Sequence, residues 1–413
     1  MHDARVIQQT TQDRRIFGLL WVASGVSNLA DGVGLTAAPL LAAALTRDPL
    51  LVSGLTIAQR LPWFLFTLIS GALVDRLDRR AVMGRSNLWR FILLALLAAT
   101  VLTGRANLVI LYVIFFLLGS IETLFDNAAL AILPRIVEEE DLEGANGRLF
   151  ATATVANELI GPPLGSYLFS ILRSTSFFLA STAYGLSSLL IHRLPGEYSS
   201  YNGPHHSLLM EIKEGVRWFW RHRLLRTLGF FAATFNLVYG ATMSVFVLFA
   251  QDMLGVNDAA YGFILAFGAV GGVLGSLLAK RLSDRFGAGW ILFLDAVLSG
   301  LAFIGIGLTT QPVIVGFMFV LISMSDMFGN VIIISLRQAI IPPRLLGRVA
   351  SAYRLVVLGA LPLGAFIGGL LARTVNLATP FLAGGVLLAI AGITMQPALN
   401  NRAIRSARQN AKP

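Results

Sequence analysis

The chain contains no cysteine. That excludes disulfides and thiolate metal sites. Histidine is scarce, five in 413 residues, and His205-His206 fall in a polar stretch, so no imidazoles stand at metal-ligand spacing. Charge is scarce too. Asp, Glu, Lys and Arg make up 13% of the residues, against roughly a quarter in soluble domains. That leaves too little polar surface to cover a water-soluble body of this length. No nucleotide-binding loop is present, which argues against an ATP-driven pump. No Ser–His constellation or paired His supports an intramembrane enzyme. No cleavable leader is expected either: residues 1–15 are polar, and the first apolar run is too long and contains an acid.

What the chain has instead is apolar length. It is 56% hydrophobic, with mean hydropathy +0.73. Runs of about 20 apolar residues, the length that crosses a bilayer core, recur along most of it. Twelve spans are predicted, near 17–45, 50–74, 81–103, 107–133, 147–171, 175–194, 225–252, 259–280, 288–309, 312–336, 348–372 and 376–398. Each should be helical, because only closed hydrogen bonding survives in lipid. The many Gly and Ala residues suit close helix packing.

The basic residues set an orientation. With the N-terminus in the cytoplasm, the inner segments carry 25 of the 32 Lys and Arg. The outer loops carry four, Arg47, Arg105, Arg173 and Arg373, and three lie inside spans, Arg60, Arg90 and Arg354. This is the bias that positive-inside topology demands, and it returns both termini to the cytoplasm. The net charge of +10 sits in short turns, so it is no nucleic-acid footprint. The expected partners are a lipid bilayer and a small-molecule substrate, with no nucleic acid, and the expected state is a monomer.

The halves repeat at an offset near 204 residues. Gly71-Ala-Leu-Val matches Gly275-Ser-Leu-Leu; Glu122-Thr-Leu-Phe-Asp126 matches Asp326-Met-Phe-Gly-Asn330; Gly161-Pro-Pro-Leu-Gly165 falls opposite Gly364-Ala-Phe-Ile-Gly368. The reading is an all-α membrane protein of two pseudo-symmetric six-helix bundles, 1–194 and 225–413, the second with a cytoplasmic tail. A linker, 195–224, joins them and ends in an amphipathic helix at the inner interface. Such a layout is usual for secondary transporters.

The junction Gly71-Ala-Leu-Val-Asp75-Arg76-Leu-Asp78-Arg79-Arg80, with the repeat and the long middle loop, resembles the major facilitator superfamily. Residues 135–165 and Glu211–Arg217 narrow the resemblance to the branch holding macrolide-efflux pumps and enterobactin exporters, which are drug/proton antiporters. Asp78 stands where many members have Gly. The resemblance implies export by alternating access, no cofactor, a proton gradient as energy source and a bacterial-type inner membrane. It also implies an inner gate of Gly71, Asp75, Arg76, Arg79 and Arg80, with Asp75 meeting the partly positive start of the eleventh span. Gly161, Pro162, Pro163 and Gly165 are similar to a fifth-helix motif associated with export; the alternative is a plain packing face.

Six acids lie within spans: Asp31, Glu122, Asp126, Glu158, Asp295 and Asp326. Each needs a partner, a cavity or a proton, because a mid-bilayer charge costs roughly 2.5–3.5 kcal/mol. Asp31 is the first candidate for proton coupling, with packing against Asn28 as the alternative. Glu122 and Asp326, repeat partners on cavity-lining spans of the family, are candidates for substrate or proton contact. Arg60 could clamp an anionic substrate; neutralising Asp31 or Glu122 is the favoured role. Arg90 and Asp126 are expected to form a structural pair, and Asp295 is expected to be structural. Trp21, Phe125, Phe235, Tyr239, Met243 and Phe328 are candidates for the substrate pocket. The function expected is proton-coupled export of a bulky, macrolide-type amphiphile. The alternatives are a siderophore or lysolipid transporter of the same fold, and a receptor or scaffold that does not transport.

Overall fold

The computed structural model describes residues 2–74, 76–196, 198, 208–342, 345–402 and 404. Every regular element among them is helical. The first half contributes α1 (His2–Leu45), α2 (Pro49–Val74), α3 (Arg79–Leu102), α4 (Leu108–Ile132), α5 (Leu142–Ala153), α6 (Gly161–Ile171) and α7 (Thr175–His192). After α8 (Leu208–Arg221) come α9 (Arg223–Met243), α10 (Phe246–Asp252), α11 (Asp258–Phe286), α12 (Ala288–Leu308), α13 (Pro312–Ile340), α14 (Leu346–Thr374) and α15 (Thr379–Leu399).

Among the described residues, ten helices are long and apolar enough to cross a membrane, where twelve spans were expected. The two outside this set have identifiable causes. The span at 147–171 is helical throughout but divided by a π-helical turn, Thr154–Ile160, between α5 and α6. Pro162 and Pro163 have no N–H to offer the carbonyls four residues back. The Gly161 N–H accordingly reaches the Ala156 carbonyl, five back. The span at 175–194 is α7, 18 residues long and rich in Ser and Thr. Its hydroxyls tie helices together: Ser181 donates to the Phe91 carbonyl at 2.9 Å, Ser187 to Ala23 at 2.7 Å and Ser188 to Gly84 at 2.8 Å.

The chain forms two compact units that follow contacts rather than chain order. The first holds Met1–Leu41, Leu65–Gly203 and Asp258–Gly262; the second holds Ala42–Phe64, Pro204–Asn257 and Phe263–Pro413. In the first unit α3 packs on α4 and α7. In the second, α12 packs on α13 and α15, and α9 on α14. The first pairings thus recur in the second unit at the spacing of the repeat.

Glycines at corresponding positions allow the closest approaches. A Cβ at Gly161 or Gly165 would meet the backbone of Gly32 or Val33 on α1, and one at Gly364 or Gly368 would meet Leu237 or Ala241 on α9. Gly161 and Gly165 of the Gly161-Pro162-Pro163-Leu-Gly165 motif thus pack closely on α1, as Gly364 and Gly368 do on α9. Gly368→Val should force α9 and α14 apart and cost about 1–3 kcal/mol. Thermal unfolding of the detergent-solubilised protein checks this against Gly347→Val, where the added Cβ meets nothing.

Helix α8 is amphipathic, and protein occupies its apolar side. A Cβ at Gly215 would overlap the Arg348 carbonyl at the start of α14. Phe219 is buried in a core with Leu225, Leu228 and Tyr353. Glu214 pairs with Arg348. Lys213, Arg217 and Arg221 are left exposed.

Candidate functional site

Charge inside the first unit converges on Arg90. This residue lies on the buried face of α3 and is 1% exposed. Its Nη1 sits 3.8 Å from Asp31 Oδ1 of α1. Tyr184 of α7 donates its hydroxyl to the same carboxylate oxygen at 2.5 Å. Two aromatic rings flank the guanidinium, Phe125 at 5.0 Å and Tyr184 at 5.2 Å from its carbon, within the range of cation–π attraction. Glu122 and Asp126 of α4 also act on it electrostatically. One permanent cation thus has Asp31 of α1 beside it and the rings of Phe125 and Tyr184 against it, while Glu122 and Asp126 of α4 act on it from farther away. Asp31 keeps 24% of its side chain exposed, so the cluster has an open edge at that residue.

A polar layer next to the cluster holds these helices in register. On α1, Ser27 donates to Asn87 Oδ1 of α3 at 3.5 Å. Asn87 Nδ2 donates to Ser187 of α7 at 2.8 Å. All three are fully buried. Neither Nη1 nor Nη2 of Arg90 has a hydrogen-bond partner among the described residues. Leaving a buried charged donor unsatisfied costs more than a kcal/mol, so Arg90 is held by charge rather than by a fixed fork of hydrogen bonds.

The Arg90–Asp126 expectation therefore changes. The carboxylate within ion-pair distance is Asp31, and Asp126 acts from farther away. Arg60 lies in the second unit, half-buried, with no ion-pair partner among the described residues. The cation beside Asp31 is Arg90, which spacing along α3 could not reveal. Asp295 is buried on α12 and accepts from Ser299 at 3.3 Å; Ser299 in turn meets Ser325 at 2.7 Å. Asp326 of α13 bears electrostatically on both Asp295 and Tyr353.

The pocket candidates separate. Trp21 is 39% exposed and lines an almost wholly apolar groove of about 540 Å³ between α1 and the end of α5 with the π-helical turn that follows it, with Val22, Val26, Leu29, Val155 and Ile160. Its indole N–H is fixed by Thr152 Oγ1 at 2.7 Å. Phe125 lies under Arg90. Phe328 is 2% exposed in the core of the second unit, so it packs rather than lines. Phe235 and Tyr239 stack at 6.3 Å on α9, Tyr239 partly exposed. Met243 is half-buried at the end of α9.

At the Arg-rich turn, Asp75 lies outside the described residues. Asp78 caps α3, accepting from the Ala81 N–H at 2.7 Å. It also accepts from the Tyr198 N–H at 2.7 Å. A glycine, having no side chain, could accept neither bond. Arg79 donates to the Tyr198 carbonyl at 3.3 Å and Arg80 to Leu194 at 2.6 Å. Arg76 is exposed, and Gly71 faces Asn127 of α4.

The family profile described as transmembrane secretion effector matches residues 11–411. The chain is 28% identical over 389 residues to the uncharacterized MFS-type transporter YfiS of Bacillus subtilis, covering 91% of each chain. It is 27% identical over 414 residues to the multidrug efflux pump Tap of Mycobacterium tuberculosis, covering 92% of this chain and 91% of Tap. Among solved structures, a bacterial homologue of the human lysosomal transporter Spinster superposes with a TM-score of 0.69 at 14% identity, over 97% of this chain and 99% of that one.

Proposed function

Because the chain belongs to the transmembrane secretion effectors of the major facilitator superfamily, we propose that it exports an amphipathic small molecule, driven by protons that Asp31 carries. It is a secondary-active small-molecule transporter of the bacterial inner membrane, multi-pass and not an enzyme. The observation that carries the proton reading is the cluster of Asp31, Glu122 and Asp126 around Arg90. Asp31, Glu122 and Asp126 are each partly buried, and three ionised carboxylates acting on one guanidinium would repel one another and leave net negative charge within the spans, at a cost in free energy. A proton on one carboxylate removes part of that cost.

Asp31 is the natural carrier. Among the described residues it alone lies within ion-pair distance of Arg90, and it reaches the open edge. Protonating it weakens the hold of α1 and α7 on Arg90 and leaves the guanidinium to Glu122 and Asp126 of α4. The two protonation states therefore favour different arrangements of α1 and α7 against α3 and α4. A change in protonation shifts a conformational equilibrium only through such differential contacts. In the second half the corresponding positions hold Asn236 or its neighbour, Leu294, Asp326, Asn330 and Leu388. The proton machinery is accordingly assigned to the first half, with Asp326 in an accessory role. Twelve spans in two six-helix bundles, both termini inside and a monomeric state complete the reading.

For the cargo, the apolar groove at Trp21 supports a lipid-like or acylated amphiphile more than a macrolide. Such a wall takes up hydrocarbon without the polar contacts that orient a polyhydroxylated ring. Proteoliposomes under an imposed pH gradient test this with a panel of lysolipids, catecholate siderophores, macrolides and tetracyclines. Gradient-driven movement of an amphiphile supports the reading. No movement of any compound, with or without a gradient, would favour a receptor or scaffold.

A further inference from the structure

The Thr46–Asp48 turn between α1 and α2 belongs to the second compact unit, although its sequence belongs to the first repeat. Two neighbouring residues of opposite charge hold it there. Arg47 pairs with Asp252 at the end of α10 and donates to Gln251 Oε1 at 2.6 Å. Asp48 accepts an ion pair from Arg373 in the last turn of α14 at 3.4 Å. Two of the four basic residues of the expected outer loops are thus engaged in one place. Arg105 and Arg173, the other two, form no ion pair among the described residues.

Beneath the pairs, α2 and α14 meet with almost no side chain between them. A Cβ at Gly369 would strike Ser53 and Leu50 of α2. Farther along, one at Gly359 would lie 3.0 Å from the Phe64 ring. Ser53 is fully buried in this seam. The second unit's hold on α2 ends at Phe64, and Leu65 onward belongs to the first unit. Pro62 lies inside the helix just before that handover; it removes one backbone hydrogen bond and makes a natural bending point.

We infer that Arg47–Asp252 and Asp48–Arg373 form an ionic clasp that closes the outer end of the transport path, the seam below being the surface that parts when cargo leaves. The inference rests on the alternating-access reading proposed above. It adds four residues that set how readily the outer side opens. Arg47, Asp252 and Arg373 are each about half-exposed and Asp48 is about a quarter exposed, so the clasp is weak enough to break in every cycle. An exposed pair contributes up to about 1 kcal/mol, a fivefold shift in an equilibrium.

The test uses Ser53→Cys as a reporter, since the chain has no native cysteine. Intact cells are treated with a membrane-impermeant maleimide, with Arg105→Cys as the exposed outer-face control. Arg47→Asp should raise Ser53→Cys labelling about fivefold. Arg47→Asp/Arg373→Asp should raise it about twentyfold if the pairs act independently. Adding Asp252→Arg to Arg47→Asp should bring labelling back to the starting level. Asp48 is left intact because it also accepts from the Leu50 N–H at the start of α2. Unchanged labelling in Arg47→Asp, or an equal rise in the charge-swapped variant, overturns the clasp. In the parent reporter, labelling should also respond to an imposed pH gradient. If it does not, while Arg47→Asp still raises it and the swap restores it, the clasp stands and proton coupling falls.

Discussion

Asp31→Asn should reduce pH-gradient-driven transport to the level of protein-free vesicles. Asn keeps the size of the side chain and can still accept from the Tyr184 hydroxyl, but it carries no proton and offers Arg90 no charge. Cargo binding should stay within about fivefold of wild type, a change of 1 kcal/mol or less. Exchange of cargo across the membrane without a gradient should persist, since a permanently neutral residue mimics one end state of the cycle. Radiolabelled cargo in proteoliposomes, with and without a gradient, separates the two activities. If the Asn variant still accumulates cargo under a pH gradient alone, the carrier is Glu122 or Asp126 and Asp31 is a packing residue.

The second large effect is expected at Arg90. Arg90→Gln leaves Asp31 without its cation and removes the positive charge that also acts on Glu122 and Asp126. Removing one partner of a buried pair typically costs about 3–5 kcal/mol. Arg90 is 1% exposed, so solvent screening offers little relief. The variant should unfold in detergent at a clearly lower temperature and should transport nothing under a gradient. Asp31→Asn/Arg90→Gln should be more stable than the sum of the two single effects allows, by about 1–3 kcal/mol, because the pair is then removed together. Strict additivity would mean that the two side chains do not interact, whatever their separation.

The helices were almost entirely legible in the sequence, because apolar length and the Lys and Arg bias are strong one-dimensional signals. The glycine faces were legible as well: Gly161 and Gly165 do on α1 what Gly364 and Gly368 do on α9. The site was legible only in part. Asp31, Glu122, Asp126 and Arg90 stand out because ionisable groups are costly within spans. Which of them meet could not be read, since spacing along a helix identifies a shared face but not the helix opposite it. Chain proximity pairs Arg90 with Asp126, whereas the carboxylate at ion-pair distance is Asp31 of α1. Tyr184 gave no signal, because a tyrosine in an apolar run looks like any other packing residue. The π-helical turn could have been found from Pro162-Pro163, which leaves two carbonyls without their usual donors. The N-cap role of Asp78 could have been read as an acid directly preceding a helix start. Nothing in the pattern of α8 distinguished burial against α14 from burial in lipid, since both take the same apolar stripe.

Whether Asp31 carries the proton can be measured without knowing the cargo. Infrared difference spectra of the reconstituted protein, recorded across pH, detect the carbonyl stretch of a protonated carboxyl group. The wild type should show a titrating carboxyl band that is absent from Asp31→Asn and altered in Arg90→Gln. A wild-type band that persists unchanged in Asp31→Asn would place the proton on another residue and contradict the assignment.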